Sequence, residues 1–304
     1  MKGINMTSVF KNSDGKVRSF WKIGLAFILM TVLLTIFTVP LLLETALKNT
    51  SIEELFNKPL INLYGMFAQC LSVVLTVLFC LKLENKSWKS VGIIRINNQW
   101  KNLFMGLLLG ASSILCITLI LVATNQISLS LVKINSNLLM NTGIYLLGFI
   151  FVAINEELFF RGYVVTTLLQ TRSYPVAYIA SSIFFGLVHT SNPNIHIFGI
   201  INIVFIGLLF AYMFIQTKSL WMPMGYHLTW NFFQGNIIGY NVSGTNGSGF
   251  FHIKSEDNFW TGGSFGVEAS IWTTVIIIVG FFVTKVYTSR FSQTKVHLTH
   301  INEQ

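Results

Sequence analysis

Four polar side chains suited to acid–base chemistry or hydrogen-bond donation sit inside or at the edge of long apolar runs: Glu156, His189, His227 and Asn231. An ionisable residue within such a run costs about 2.5–3.5 kcal/mol to insert into a bilayer, so its presence points to a function. Glu156 belongs to Asn155-Glu156-Glu157-Leu158-Phe159-Phe160-Arg161, between the apolar stretch 144–154 and Gly162-Tyr163-Val164-Val165. Glu157 and Arg161 are four apart and share one helix face, where carboxylate and guanidinium can pair; that pair reads as structural support. Glu156 is turned by roughly 100° from its neighbour and has no local cation. A carboxylate so placed is suited to serve as a general base toward a water.

The other members are placed by spacing. Phe185-Gly186-Leu187-Val188-His189 ends the next apolar run, and the turn between the two runs is Thr171-Arg172-Ser173-Tyr174-Pro175. Glu156 precedes Ser173 by nearly as many residues as His189 follows it, so an antiparallel helix pair brings both to one level. His227, Asn231 and Gln234 fall at i, i+4 and i+7, a polar stripe on an apolar helix. One membrane histidine is commonly a packing donor; three such donors on one face suggest a lined cavity. The break after His189, which contains Pro193, requires irregular backbone within the membrane, held by protein or by a wet cavity.

The elements that must position these groups are membrane spans. Of the 304 residues, 53% are hydrophobic and only 10% charged, with a mean hydropathy of +0.64, whereas a soluble domain carries about 25% charged residues. Eight runs reach spanning length, roughly 22–47, 60–82, 102–125, 138–170, 174–191, 195–216, 219–240 and 268–288. The expected fold is an all-α polytopic bundle of about eight transmembrane helices. It forms one membrane domain over 22–288, with cytoplasmic segments 1–21 and 289–304. Lys82, Lys86, Lys89, Arg95, Lys101, Arg172, Lys218, Lys285 and Arg290 then share a side with the N-terminal lysines. By the positive-inside rule that side, with both termini, is cytoplasmic. The opposite side receives the Gly-, Ser- and Asn-rich segment 241–267, which reads as an outer loop with interfacial aromatics.

Several function classes are excluded. The net charge of +9 sits beside spans, where it sets topology, so no nucleic-acid partner is expected. Cys70, Cys80 and Cys116 lie in apolar runs and read as free core thiols. The first apolar run is too long for a cleavable signal, and the C-terminal residues include no lipidation cysteine. Among the designs used for proteolysis within membranes, no His-Glu-x-x-His helix occurs. The only aspartates, Asp14 and Asp257, lie in polar segments, and Ser248 lacks a nucleophile elbow. A glutamate, two histidines and an asparagine remain.

Glu156-Glu157-x-x-x-Arg161, Phe185-x-x-x-His189 and His227-x-x-x-Asn231 together resemble the three motifs of the CPBP family. That family includes type II CAAX prenyl endopeptidases, their bacterial relatives and bacteriocin self-immunity proteins. The stretches 231–236 and 261–270 also resemble its bacterial branch, which implies a bacterial plasma membrane. The resemblance implies an intramembrane endopeptidase cutting near the cytoplasmic side. In it Glu156 activates a water, His189 helps to hold it, and His227 with Asn231 stabilises the oxyanion, while Glu157 and Arg161 lend support. It leaves the cofactor open: Glu156, His189 and His227 form a set that can hold zinc or another divalent metal, and the family has also been read as metal-independent. The substrate is a peptide or protein, whether lipidated end, pheromone, leader or bacteriocin. Two alternatives stand beside this: a non-enzymatic immunity or scaffold protein, and a proton-coupled transporter, which Glu and His relays also suit.

Overall fold

A computed structural model describes residues 10–11, 15–48, 51 and 58–291. Most of the expected terminal segments 1–21 and 289–304 lie outside the described residues. Among the described residues, eight helices form the bundle: α1 Ser19–Lys48, α2 Pro59–Leu83, α3 Trp100–Ala123, α4 Ser136–Leu169, α5 Tyr174–Val188, α6 Ile197–Thr217, α7 Trp221–Phe232 and α8 Ile271–Phe291. Their ends follow local chemistry. Asn135 caps α4 by accepting from Leu138 N, and Ser173 caps α5 ahead of Pro175 in its first turn. The chain leaves α6 through Lys218 at φ +51°. Six helices (α1, α2, α3, α4, α6 and α8) are long and apolar enough to cross a membrane. The two short ones, α5 and α7, both carry candidate site residues. α5 stops at Val188 rather than near 191, because the chain turns into a tight helical turn, His189–Ser191. α7 changes pitch, continuing as a π-helix over Phe233–Ile238 and ending at Gly239, φ +103°.

Large apolar side chains such as Leu25, Ile28, Phe104, Leu119 and Phe282 remain exposed around the bundle. A belt of that extent suits lipid rather than water. The polar connections separate into two faces. On one, Lys22 reaches both Glu84 (3.2 Å) and Gln170 (3.2 Å), Leu220 N donates to Gly92 O (3.1 Å), and Trp221 Nε1 donates to Ile94 O (2.7 Å). This is the face of the basic turns. On the other, two strands pair antiparallel, the second of them inside the segment expected to be an outer loop: β1 Ile127–Leu131 and β2 Phe251–Ser255, with Leu129 opposite Ile253. The alternation of Ile127-Ser128-Leu129-Ser130-Leu131 is the period of two that marks a half-buried strand, and it was legible.

The segment after α7 is more than an outer loop. Tyr240, Phe265, Val267 and Ala269 are buried, and Asn202 of α6 donates to Glu268 O (2.7 Å) and Ser270 O (3.0 Å). Those bonds draw the segment into the bundle. The break between α5 and α6 is held in the same way, since Asn194 Nδ2 donates to Gly244 O (3.1 Å). Protein therefore anchors this irregular segment, within which Asn192 N donates to His189 O (3.1 Å).

Candidate active site

The site begins with how α7 is seated. Gly106 and Gly110 of α3 face α7, and a Cβ on Gly110 would come within 2.2 Å of Tyr226 O. Small residues at such a crossing allow two backbones to approach closely. The approach is then fastened by Thr229 Oγ1 donating to Leu107 O (2.8 Å) and by a hydrogen bond between Ser113 Oγ and Tyr226 Oη (2.8 Å). His227 and Asn231, one turn apart and both buried, are thereby turned toward α4 rather than lipid.

α4 presents the carboxylates. From Glu157 to Val165 it winds as a π-helix, a wider turn common at functional positions, and every residue of that stretch is buried. The Glu157 carboxylate, wholly buried, accepts from Arg161 Nη1 (3.0 Å) and lies 2.9 Å from His227 Nδ1. Arg161 also donates to Gly207 O (3.4 Å) and lies against the rings of Phe185 (4.2 Å) and Phe210 (5.2 Å). The expected Glu157–Arg161 pair is present. The sequence reading missed the second task of Glu157, which is to hold His227. No local spacing shows it, because the two residues meet only through packing of α4 on α7.

Glu156 points elsewhere. Its Oε2 lies 3.8 Å from Nε2 of His189 and 3.8 Å from Nε2 of His227. His189 is aimed by its other nitrogen, 2.7 Å from the carbonyl of Phe185, whose ring also stacks edge-on at 4.6 Å. Since a carbonyl and a carboxylate only accept, each Nδ1 carries the hydrogen and each Nε2 is turned toward Glu156. A separation of 3.8 Å exceeds a direct hydrogen bond and suits groups that share one water. Glu156 and His189 are at one level, as their spacing about Ser173 implies. Gln234 leaves the polar stripe: it is fully buried, and its Nε2 donates to Asn241 O (2.6 Å). The π-turn beginning at Phe233 breaks the 3.6-residue phase that would have aligned it with Asn231.

Glu156, His189, His227 and Asn231 line one cavity of about 230 Å3, with Phe149, Val152, Ile203, Ile206 and Trp230 among its apolar walls. Another acid, Glu268, lines it too. Its carboxylate is held by Ser243 through the backbone N–H and the hydroxyl (2.9 Å for the latter). Burial pushes the Glu268 carboxyl up to about 7, although the hydrogen bonds from Ser243 pull it down. A lone acid between Gly266, Val267 and Ala269, unlike the polar run at Glu256-Asp257, was the signal that could have found it.

The cavity lies on the side of the cluster away from the Arg172 and Lys218 turns, and its non-helical walls are Asn192, Val242, Ser243, Thr245 and Glu268. Between the cluster and the basic face the bundle is filled by buried Leu158, Phe159, Phe214, Leu220 and Met222. As to a metal, the donor types of Glu156, His189 and His227 suit zinc, with Glu157 behind His227 as an orienting carboxylate. Among the described residues, however, no three His, Cys, Asp or Glu side chains stand at metal-ligand spacing.

Comparison with known proteins bears on the same residues. Residues 138–233 match the family model for type II CAAX prenyl endopeptidase Rce1-like proteins. The match runs from α4 to α7 and contains Glu156, His189, His227 and Asn231. A stretch of 78 residues is 30% identical to the protein named "Putative membrane peptidase YdiL" from Bacillus subtilis (strain 168). It covers 26% of this chain and 30% of that protein, so the chain spans less than a third of the length of this relative. No solved structure matches the chain. The three motifs gathered on α4, α5 and α7 all lie inside the segment that is similar to this family.

Proposed function

We propose that this protein is an intramembrane endopeptidase that cleaves a peptide bond with a water activated by Glu156. The observation that carries the reading is the convergence of the Glu156 carboxylate with His189 and His227, each at 3.8 Å, on the floor of a largely apolar cavity. A water bonded to Glu156 and to an imidazole Nε2 is held for attack on a carbonyl carbon, and Glu156 takes its proton as the C–O bond forms. The oxyanion so generated needs donors already in place. Asn231 supplies an amide N–H. His227 supplies Nε2–H in its imidazolium form, with Glu157 on Nδ1 balancing the charge. Glu156 then delivers its proton to the leaving nitrogen as the C–N bond breaks. Peptide and water become an acid and an amine, and the site returns to its starting state.

The test uses purified protein in detergent micelles and a quenched fluorogenic peptide library. Wild type cleaves. Asn231→Ala slows cleavage about 10²–10³-fold, as loss of an oxyanion donor does, and Glu156→Ala is slower still. Cleavage by Glu156→Ala at the wild-type rate sinks the reading, and absence of cleavage by the wild type leaves the protein a binding or immunity module. A chelator arm assigns the water activation. Persistence of cleavage assigns it to Glu156 alone, and loss restored by zinc assigns a metal to Glu156, His189 and His227.

A further inference from the structure

The cavity is one-sided. Most of its lining is level with the Glu156 cluster or nearer the face that carries the 189–196 and 241–270 connections, while Phe185 and Phe210, which flank Arg161, close its floor. Phe149 and Val152 precede Glu156 on α4, and α4 runs from that face toward the basic one. Ile203 and Ile206 lie in the first half of α6, which also starts at that face, while Trp230 follows His227 on α7, which runs back toward it. The mouth is polar, with exposed Thr245 and half-buried Asn192 in the wall, and the depth is apolar. In the other direction the cluster is sealed: Leu158, Leu220 and Met222 are no more than 2% exposed, and Leu220 N is bonded to Gly92 O across the basic face. Lys82, Lys86, Lys89, Arg95, Arg172 and Lys218 mark that sealed face as cytoplasmic.

We infer that the substrate is a peptide presented at the extracytoplasmic face of the membrane. It enters past Asn192 and Thr245 and places an apolar side chain among Phe149, Val152, Ile203, Ile206 and Trp230. A space of about 230 Å3 holds one or two such side chains, and their burial seats the adjacent bond over Glu156. The inference rests on the peptidase reading for its chemistry, although not for its geometry. It sets a secreted or outward-facing peptide against the cytoplasmic, lipidated chain end that the family resemblance brings to mind.

The decisive measurement is sidedness of access. Val152→Cys is made in the full chain with Cys70, Cys80 and Cys116 replaced by Ala, and treated with a small charged methanethiosulfonate. Reaction in right-side-out membranes and none in inside-out vesicles is expected, with Ser90→Cys, on the basic face, behaving oppositely. Reaction from the cytoplasmic side, from both sides or from neither overturns the inference. Ile206→Cys is the second probe should Val152→Cys fail to accumulate. A peptide cleaved in detergent is then anchored as a reporter on either face of the membrane. Wild type, and not Glu156→Ala, cuts the outer reporter and spares the inner one; the reverse pattern overturns the inference. Labelling does not need catalysis, so the two readings fail separately. Absence of cleavage in detergent defeats the peptidase alone, whereas cleavage in detergent with access only from the cytoplasm defeats the extracytoplasmic route alone.

Discussion

Glu156 and Glu157 are neighbours in the chain with opposite surroundings, and the difference predicts opposite costs of mutation. The Glu157 side chain is 0% exposed and joins Arg161 and His227, while Arg161 is itself buried between two aromatic rings. Removing the Glu157 charge leaves a guanidinium buried and unpaired, a loss of about 3–5 kcal/mol in comparable pairs. Glu156, with a side chain 19% exposed at the cavity, leaves no buried partner charge when neutralised. Glu157→Gln is therefore expected to lower both thermal stability and activity. Glu156→Gln should abolish activity with a melting temperature close to wild type. Thermal unfolding in detergent, read beside peptide cleavage, compares them; equal melting temperatures would refute this division of roles. The two glutamates could be told apart from spacing alone, since only Glu157 sits four residues before an arginine. That Glu157 also aims His227 could not.

At the scale of elements, two contacts fix the walls of the site. The first is the α3–α7 crossing. Gly110→Val puts side-chain atoms where Tyr226 O already lies, next to His227, and overpacking of this kind costs about 1–3 kcal/mol or more. A Cβ on Gly143 of α4 meets nothing within 4 Å, which makes Gly143→Val the control. The first should cut cleavage at least tenfold and lower the melting temperature, and the second should do neither. The second contact is the Glu268–Ser243 clasp, which closes the segment after α7 on itself at the cavity wall. Burial raises the Glu268 carboxyl from its ordinary 4.5 to about 7, against Ser243 and, more weakly, His227. A carboxyl raised in the folded state binds its proton more tightly there than in the unfolded chain. Its stabilising share is full below about 4.5 and is lost as pH rises to about 7. Thermal stability of wild type should therefore decline across that window relative to Glu268→Gln. A difference between the two proteins that stays constant with pH would remove Glu268 as the cause.

On the scale of the whole molecule, the eight helices sort every described connection onto one of two faces, and charge distinguishes them. Lys48, Lys58, Lys133 and Lys254 share the face of β1 and β2 with Glu256, Asp257 and Glu268, whereas the opposite turns are almost wholly basic. Ser90 and Ser248, both exposed, stand on opposite faces. Cysteines at these two positions should label from opposite sides of the membrane, Ser90→Cys from the cytoplasm and Ser248→Cys from outside. Labelling of both from one side would dismantle the eight-helix arrangement.

Composition and period were enough to determine the class of protein and the six helices long enough to span, because crossing a hydrocarbon layer is a requirement each such segment meets by itself, which the short α5 and α7 do not. Spacing within single helices determined the Glu157–Arg161 pair, and spacing about one turn put Glu156 and His189 at a common level. These are local relations, set by rise and residues per turn. The rest depended on how helices rotate and approach one another, which no single segment encodes. The α3 glycines turned His227 onto Glu157, and a π-turn took Gln234 out of the polar stripe. Two distant alternating segments closed into a ribbon, and Asn202 drew the segment containing Glu268 down against the cavity. The side on which the cavity lies was decided last of all. It depends on which half of the bundle large side chains fill, and that is a property of the packed tertiary structure alone.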